Sequence, residues 1–453
     1  MQQVIPPIVF QYLKTYREHE GFCFLQQKDK SFLFLEPVLK VWADYKSSHY
    51  QSATQSGSFN DSWQALEFLI RSMGSKENAN DFPAAAGYFS YELSRTIERL
   101  SNIGNSEEEV PLYLFYLYRS VMQIKDSQIK TCVTKLHQPY DPFWTASATL
   151  PAYEPVSPDL TSCSVDVVED YFSRYSNFTK DSYIKAVEQI IELIKDGKVY
   201  QVNLSQKFSL QIDRDACGAL AENFLNMEQA AFSAYFHCSF KDQKNILSII
   251  SASPELFLNY DNERLLTSPI KGTKLKEGQH DSERDMLSAS RKDLAELAMI
   301  VDIERNDLGK IAVPGSVQVE RHARLESLSH VHHMLSDISC KLSPATTFLD
   351  IIKAVFPSGS ISGAPKIAAM NFIADFENSP RGAYTGSIGS ISPDGSFNFN
   401  VAIRTASILN DKVTYSAGGG IVIDSVPEEE YRETLAKTMG FYLALQFAKL
   451  AKC

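Results

Sequence analysis

The stretch Ser253-Pro254-Glu255-Leu256-Phe257-Leu258-Asn259-Tyr260-Asp261-Asn262-Glu263-Arg264-Leu265-Leu266-Thr267-Ser268-Pro269-Ile270-Lys271-Gly272-Thr273 decides how this chain is read. Leu256-Phe257-Leu258 and Leu265-Leu266 read as two short strands joined at the polar turn Asp261-Asn262. Such a hairpin returns Lys271 to the end of the sheet that holds Glu255, sixteen residues upstream. A lysine becomes a covalent nucleophile when its surroundings favour the neutral amine, and a neighbouring glutamate can supply a proton. An isolated Lys/Glu pair at a surface is ordinarily a weak ion pair. The weight therefore rests on what the rest of the chain places around these two residues.

Working outward, Ser182 to Lys195 shows helical spacing and Val199 to Leu210 alternates as a strand. A long helix is expected from Ser282 to Arg305, with Leu294, Leu297 and Val301 on one stripe. Thr385 to Ala417 reads as a β-meander that turns at Pro393-Asp394-Gly395 and at Asn410-Asp411. The last helix is expected to open at Ser425, with Ser425 and Glu428 as a capping box and Pro427 in the first turn. Residues 1 to about 135 mix short apolar runs with polar turns, a β-rich pattern. Prolines 139, 142, 151, 155 and 158 mark a linker. The chain is divided accordingly into an N-terminal region 1–140, a linker 141–175 and a catalytic region 176–453.

At 453 residues, 44% hydrophobic and 22% charged, the composition is that of a globular protein with a large core. A net charge of −11 with no basic stripe argues against a nucleic-acid partner. No apolar run reaches bilayer length, and the N-terminus has no basic, then apolar, export signal, so no membrane association is expected. The seven cysteines are scattered and never spaced CxxC, which points to the reducing cytoplasm rather than to disulfides or zinc.

Several features suit a small, doubly anionic ligand. Ser358-Gly359-Ser360-Ile361-Ser362-Gly363-Ala364-Pro365-Lys366 leads into the apolar helix Ile367 to Phe376, an arrangement that offers backbone N–H groups to an anion. Gly418-Gly419-Gly420, read as lying directly after a strand, allows close backbone approach. Arg404, read within a strand Phe399 to Leu409, carries a planar fork suited to a carboxylate; an internal ion pair is equally compatible with it. Glu296 and Glu433 sit beside the apolar stripes of two helices, and two isolated carboxylates are what Mg²⁺ commonly takes from a protein.

Taken together, these residues resemble the chorismate-utilising enzyme family, on its aminating side. The resemblance is carried by Tyr200-Gln201-Val202-Asn203-Leu204-Ser205, Ser253-Pro254-Glu255, Pro269 to Thr273, Ile300-Val301-Asp302 with Arg305-Asn306-Asp307, Gly359 to Lys366, Ile403-Arg404-Thr405, Gly418 to Gly420 and Glu433-Thr434. It is strong over residues 180–445 and weaker upstream, where Gly87-Tyr88-Phe89-Ser90-Tyr91 carries it. It implies an α+β fold like that of anthranilate synthase component I: large antiparallel β-sheets packed face to face, helices outside, and the two halves of the chain intertwined. It also implies that Glu255 protonates the departing C4 hydroxyl of chorismate while Lys271 attacks C2. Ammonia then enters at C4 and expels the lysine, giving 4-amino-4-deoxychorismate on the route to p-aminobenzoate and folate. Glu296 and Glu433 correspond to the Mg²⁺ ligands, and His333 to a histidine near the reacting ring. Gly272, Thr273, Tyr384, Arg404, Gly418, Gly419 and Gly420 correspond to substrate contacts, with Lys366 and Gln201 added from the same motifs.

The nearest rival is the anthranilate-forming branch, which has alanine in place of Lys271. Its Asn-Pro-Ser-Pro-Tyr-Met-Phe feedback motif is replaced here by Glu228-Gln229-Ala230-Ala231-Phe232-Ser233-Ala234, and its Leu-Glu-Ser element aligns poorly with Leu25-Gln26-Gln27. Isochorismate and salicylate formation use a lysine base where this chain has Gln201, and an amide cannot deprotonate water. A catalytically dead binding subunit is disfavoured, because the acid, the lysine and the carboxylates are all present. The chain has no Gly-x-Cys-x-Gly segment, so a separate glutamine amidotransferase (glutaminase) subunit is expected to supply ammonia. It also ends at Cys453, and no fused lyase is expected.

Overall fold

The computed structural model describes residues 5–73, 82–100, 110–126, 128–134, 141–146, 150, 163–241, 244–275, 287, 290–327 and 331–450. The hairpin forms as expected. Leu256–Tyr260 pairs antiparallel with Leu265–Ser268, Leu256 opposite Ser268 and Tyr260 opposite Leu265. Its turn is built by Asp261, whose Oδ1 accepts from the N–H groups of Glu263 (3.1 Å) and Arg264 (2.9 Å), and by Asn262 at φ 70°. The next strand, Ile270–Leu275, pairs with Val331–Cys340, but Ile270 faces Leu335 while Thr273 faces His333. Lys271 and Gly272 therefore share one partner, Met334, which is a β-bulge. Gly272, at φ +78°, supplies the backbone angle that this bulge requires.

Central strands are buried on both faces, which explains their long apolar runs. Strand Tyr113–Lys125 sends Leu114, Tyr116 and Tyr118 into one core and Tyr113, Phe115 and Leu117 into another. The first core also collects Phe32 and Phe34, Phe236 and Cys238, Ile249, and Ile388, so it fills the layer between two sheet faces. The other two cores bring in helices. One takes Lys180–Lys195, Arg214–Glu228, Lys366–Glu377 and Met439–Leu450. The other takes Gln64–Ser72, Arg291–Gly309 and Phe348–Val355. The result is an α+β fold of face-to-face antiparallel sheets with helices outside.

The N-terminal region is woven into the sheet of the catalytic region. Cys23–Gln27 pairs with Phe232–Phe240, and Ala85–Phe89 pairs with Ser387–Ile391. Within 141–175, residues Val165–Phe172 form a helix capped by Ser164, with Val168 and Phe172 buried in the core.

Several elements differ from the sequence reading, each for a local reason. The strand expected over Phe399 to Leu409 is broken into Phe397–Asn400 and Thr405–Leu409. The chain changes neighbours there, from Leu256–Tyr260 to Asn245–Ser253, and Arg404 sits in the gap at φ 47°. The glycine triplet lies inside strand Lys412–Ile421, not after it, with Gly418, Gly419 and Gly420 opposite Ser205, Leu204 and Asn203. The helix expected from Ser282 begins at Arg291, capped by Ser290, and runs to Gly309; residues 276–286 lie outside the described residues. The last helix is two, Pro427–Ala436 and Met439–Leu450. Its capping box does not form, because Ser425 Oγ donates instead to Glu430 Oε1 at 2.7 Å; Pro427 does take the first helical position.

Candidate active site

The bulge turns Lys271 toward helix Arg291–Gly309, where its Nζ lies 3.4 Å from Glu296 Oε2. On its other side is Gly420. A Cβ there would stand 2.7 Å from Lys271 Nζ and 2.7 Å from Gln201 Nε2, so any larger residue would displace these two side-chain ends. Gln201 is fully buried, and among the described residues neither atom of its amide has a hydrogen-bond partner. A Cβ on Gly419 would stand 2.9 Å from Glu430 Oε2 and 3.6 Å from Glu433 Oε1. The strand thus passes close to Glu430 and Glu433 at Gly419 and close to Lys271 and Gln201 at Gly420.

Glu255 is buried at 3% exposure, just before the first hairpin strand. Ser360 Oγ lies 2.5 Å from its Oε1. Burial, with a smaller contribution from Glu304, pushes its carboxyl up to about 8, against the opposing pull of Ser360 and Lys271. Burial thus favours the protonated form of Glu255, the state an acid needs. His333 is lowered to about 4 by burial, then by Arg404 and His332 nearby, so its ring is neutral. Tyr384 is raised to about 12 by burial, and the Arg381 guanidinium lies 5.8 Å from its ring centre.

Burial alone would raise Glu433, yet Lys437 and then Lys271 and Lys292 hold its carboxyl below the ordinary value. Lys437 Nζ is 2.6 Å from Glu433 Oε1. Glu296 and Glu433 thus both feel the Lys271 ammonium, and their hard oxygen donors suit Mg²⁺. Among the described residues no three His, Cys, Asp or Glu side chains converge as a metal cage, so an ion here would complete its shell from water and substrate. The neighbours of Lys271 that the geometry identifies are the carboxylate of Glu296, the amide of Gln201 and, further off, the carboxylate of Glu433.

Other expected contacts fall elsewhere. Lys366 has its three donors occupied by Asp307 Oδ2 (2.6 Å) and the carbonyls of Val355 (2.8 Å) and Pro357 (2.7 Å), which makes it a clasp inside the protein, not a ligand contact. The Ser358–Lys366 segment is no open anion cradle: the N–H groups of Gly359, Ser360 and Ser362 already bond Glu304, Ser358 and the Gly359 carbonyl. Arg404 Nη1 is engaged by Glu228 Oε2 at 2.9 Å, the internal ion pair that its sequence setting also allowed. Thr273 faces His333 across the strand pair, and its side chain lies outside the described residues. The segments compared with a feedback motif do meet, around a small open cleft lined by Leu25, Gln26, Gln27, Phe232 and Ser233.

Residues that sequence reasoning missed are Glu304, Ser358, Ser360 and Glu430. Glu304 had a signal. It shares the apolar stripe of Leu297, Val301 and Leu308, where a charge needs a reason.

A face-to-face antiparallel fold carries a lysine on a bulge and a buried acid at the start of the adjoining hairpin, and the family match makes this a chorismate-utilising enzyme. Residues 20–442 match the chorismate binding enzyme family, and the chain belongs to it. Among its relatives is aminodeoxychorismate synthase component 1 of Escherichia coli, 36% identical over 92% of this chain and 90% of that protein. The Bacillus subtilis protein of the same name is 32% identical over 82% of this chain and 80% of its own length. Anthranilate synthase component 1 of Aquifex aeolicus is 40% identical, over 63% of this chain and 58% of that protein. Among solved structures, anthranilate synthase component I of Streptococcus pneumoniae superposes with a TM-score of 0.72 at 25% identity, covering 91% of this chain and 92% of that one.

Proposed function

We propose that this chain aminates chorismate at C4, as an aminodeoxychorismate synthase component I does, with Mg²⁺ bound at Glu296 and Glu433. The observation that carries the proposal is the bulge that sets Lys271 against Glu296 and Gly420, with the buried carboxyl of Glu255 at the start of the adjoining hairpin. Lysine at this position separates the reading from anthranilate formation, whose enzymes resemble this chain closely but carry alanine there.

Glu255 gives its proton to the C4 hydroxyl as the C–O bond breaks, so that water leaves instead of hydroxide. Lys271, as the neutral amine, forms a bond to C2 and holds the ring. Ammonia attacks C4, the C2–N bond breaks, and the lysine amine is released. Gln201, buried beside Lys271 with an unpaired amide, is placed to bond a polar atom of the ring substituents. His333, being neutral, can accept or donate one hydrogen bond but adds no charge. Glu296 and Glu433 would hold Mg²⁺, and the ion would supply positive charge against the ring carboxylate.

Ammonia is proposed to come from a separate glutaminase subunit, and a reducing cytoplasm suits the free thiols of the described cysteines. Among the described residues no helix is long and apolar enough to cross a membrane. The test is product identification. Pure chain with chorismate, Mg²⁺ and an ammonium salt is expected to form 4-amino-4-deoxychorismate, and to form none with glutamine instead of ammonium. Anthranilate or isochorismate as the main product would overturn the assignment.

A further inference from the structure

Helix Arg291–Gly309 buries two carboxylates along its apolar stripe, Asp307, which is paired with Lys310 and Lys366, and Glu304, at 1% exposure. Glu304 Oε1 accepts from Ser358 Oγ and from Gly359 N, each at 2.9 Å. Ser358 Oγ lies 3.0 Å from Ser360 Oγ, and Ser360 Oγ lies 2.5 Å from Glu255 Oε1. Glu255, Ser360, Ser358 and Glu304 therefore form an unbroken chain of four side chains joined at three contacts.

Counting hydrogens decides what this chain holds. Each serine hydroxyl has one hydrogen to give, and an ionised carboxylate has none. Two hydroxyls cannot fill three contacts. With both carboxyls ionised, one contact is oxygen against oxygen with nothing between, deep in the protein. With one carboxyl protonated all three are filled, running either from Glu255 toward Glu304 or in reverse. The charges facing the pair do not remove the need for that proton. Lys271 faces Glu255, while Asp307 and Lys366 face Glu304, and Lys310 and Lys366 are both spent on Asp307. Burial lifts Glu304 as well, to about 7.

We propose that Glu255 and Glu304 hold one exchangeable proton in common through Ser360 and Ser358, which makes Glu304 the positioning residue that sets the protonation state of the general acid. This rests on the reading of Glu255 as that acid. The proton passes from Glu255 to the oxygen of the breaking C4–O bond, and water leaves. The chain is then one hydrogen short, and it is refilled by the proton that ammonia sheds on becoming the product amine. No proton is gained or lost over the cycle.

The full-length protein tests this in two arms. Carboxyl bands are titrated by difference infrared spectroscopy, with Glu255→Gln identifying the Glu255 band. In Glu304→Gln the Glu255 titration should fall by about one pH unit or more, because a neighbouring anion that resists its ionisation is gone. In parallel, turnover is measured against pH at constant free ammonia, and its alkaline limb should move down by the same amount. A purely structural role for Glu304 would lower the rate at every pH without moving the limb. If Glu304→Gln does not fold, Ser358→Ala breaks the same chain. Ser360 is then free to donate to an ionised Glu255 alone, and the Glu255 titration should again fall. An unmoved Glu255 band in a folded variant overturns the shared proton. A moved band with an unmoved alkaline limb supports the shared proton and overturns Glu255 as the acid.

Discussion

Lys271 and Glu255 do different work, and single substitutions separate them. Lys271→Ala leaves Glu255, Glu296 and Glu433 in place, while removing the amine and opening space beside Gly420. Ammonia can then reach C2 directly, so the variant should lose 4-amino product relative to 2-amino product. Intact-protein mass spectrometry with chorismate and no ammonia should show an adduct on the wild type and none on the variant. Equal 4-amino product from both would leave Lys271 as no more than an electrostatic contact. Glu255→Gln keeps the shape and removes the proton, and should lower turnover by roughly 10²–10⁴-fold. It should also change stability in a pH-dependent way. The Glu255 carboxyl stands at about 8 in the folded protein against an ordinary 4.5, so the folded state binds this proton more tightly than the unfolded chain does. Stability is lost as pH rises through that window, and the glutamine variant is spared the loss. Thermal unfolding near the two ends of the window should show the variant gaining on the wild type at the alkaline end; parallel curves would mean that Glu255 does not titrate there. The hairpin that joins the Glu255 and Lys271 segments was legible in sequence, because its strands and turn form where the pattern puts them. Lys366 was misread because its loop looks like an anion site, whereas the acceptors that consume its donors, Asp307 and two carbonyls, come from distant segments that no local pattern brings together.

At the scale of elements, what was legible followed periodicity, and what was lost followed from neighbours. The hairpin, strand Gln201–Gln211 and helix Lys180–Lys195 lie where alternation and helical spacing put them. The break at Arg404 has no local signal: Val401 to Thr405 is as apolar and β-branched as a continuous strand, and the chain bends there because its hydrogen-bond partners change. The glycine triplet was recognised as a close-approach site but set outside its strand, because glycine weakens a strand reading. The structure gives these glycines different duties that can be measured. A Cβ on Gly418 would meet the Leu204 carbonyl at 2.5 Å, so Gly418→Ala should disturb strand pairing and lower stability by about 1–3 kcal/mol. A Cβ on Gly420 would meet two side-chain ends, Lys271 Nζ and Gln201 Nε2, which can give way. Gly420→Ala should therefore unfold close to the wild-type temperature while losing most of its activity. The reverse ranking, with activity kept in Gly420→Ala and stability kept in Gly418→Ala, would contradict this placement of Lys271.

For the molecule as a whole, the proline-rich linker divides the chain by composition, but the family resemblance implies intertwined halves, and the strand pairing interweaves them. The region 176–453 carries Glu255, Lys271, Glu296, His333 and Glu433, and on motifs alone it could be taken for a free-standing catalytic unit. Yet Phe232–Phe240 has Cys23–Gln27 as a neighbour, and Ser387–Ile391 has Ala85–Phe89. The core between the sheets mixes Phe34, Tyr88, Leu114 and Tyr116 from upstream with Phe236, Ile249 and Ile388 from downstream. Glu92, in the upstream region, also accepts from the N–H groups of Arg381 (2.8 Å) and Gly382 (2.9 Å), just before Tyr384. Removing residues 1–175 would bare two strand edges and one face of that core, and would release the segment leading to Tyr384. Each buried aromatic contributes about 1.5–3 kcal/mol or more, a large fraction of the 5–15 kcal/mol that holds a domain folded. Residues 176–453 expressed alone should therefore aggregate or bind a hydrophobic dye without a cooperative thermal transition. Co-expression of residues 1–146 as a separate chain should restore soluble protein and ammonia-dependent turnover, because the missing strands re-enter by pairing at exposed edges. A soluble 176–453 fragment that unfolds cooperatively and aminates chorismate on its own would show that the interwoven strands are dispensable, and that the catalytic region is a domain in its own right.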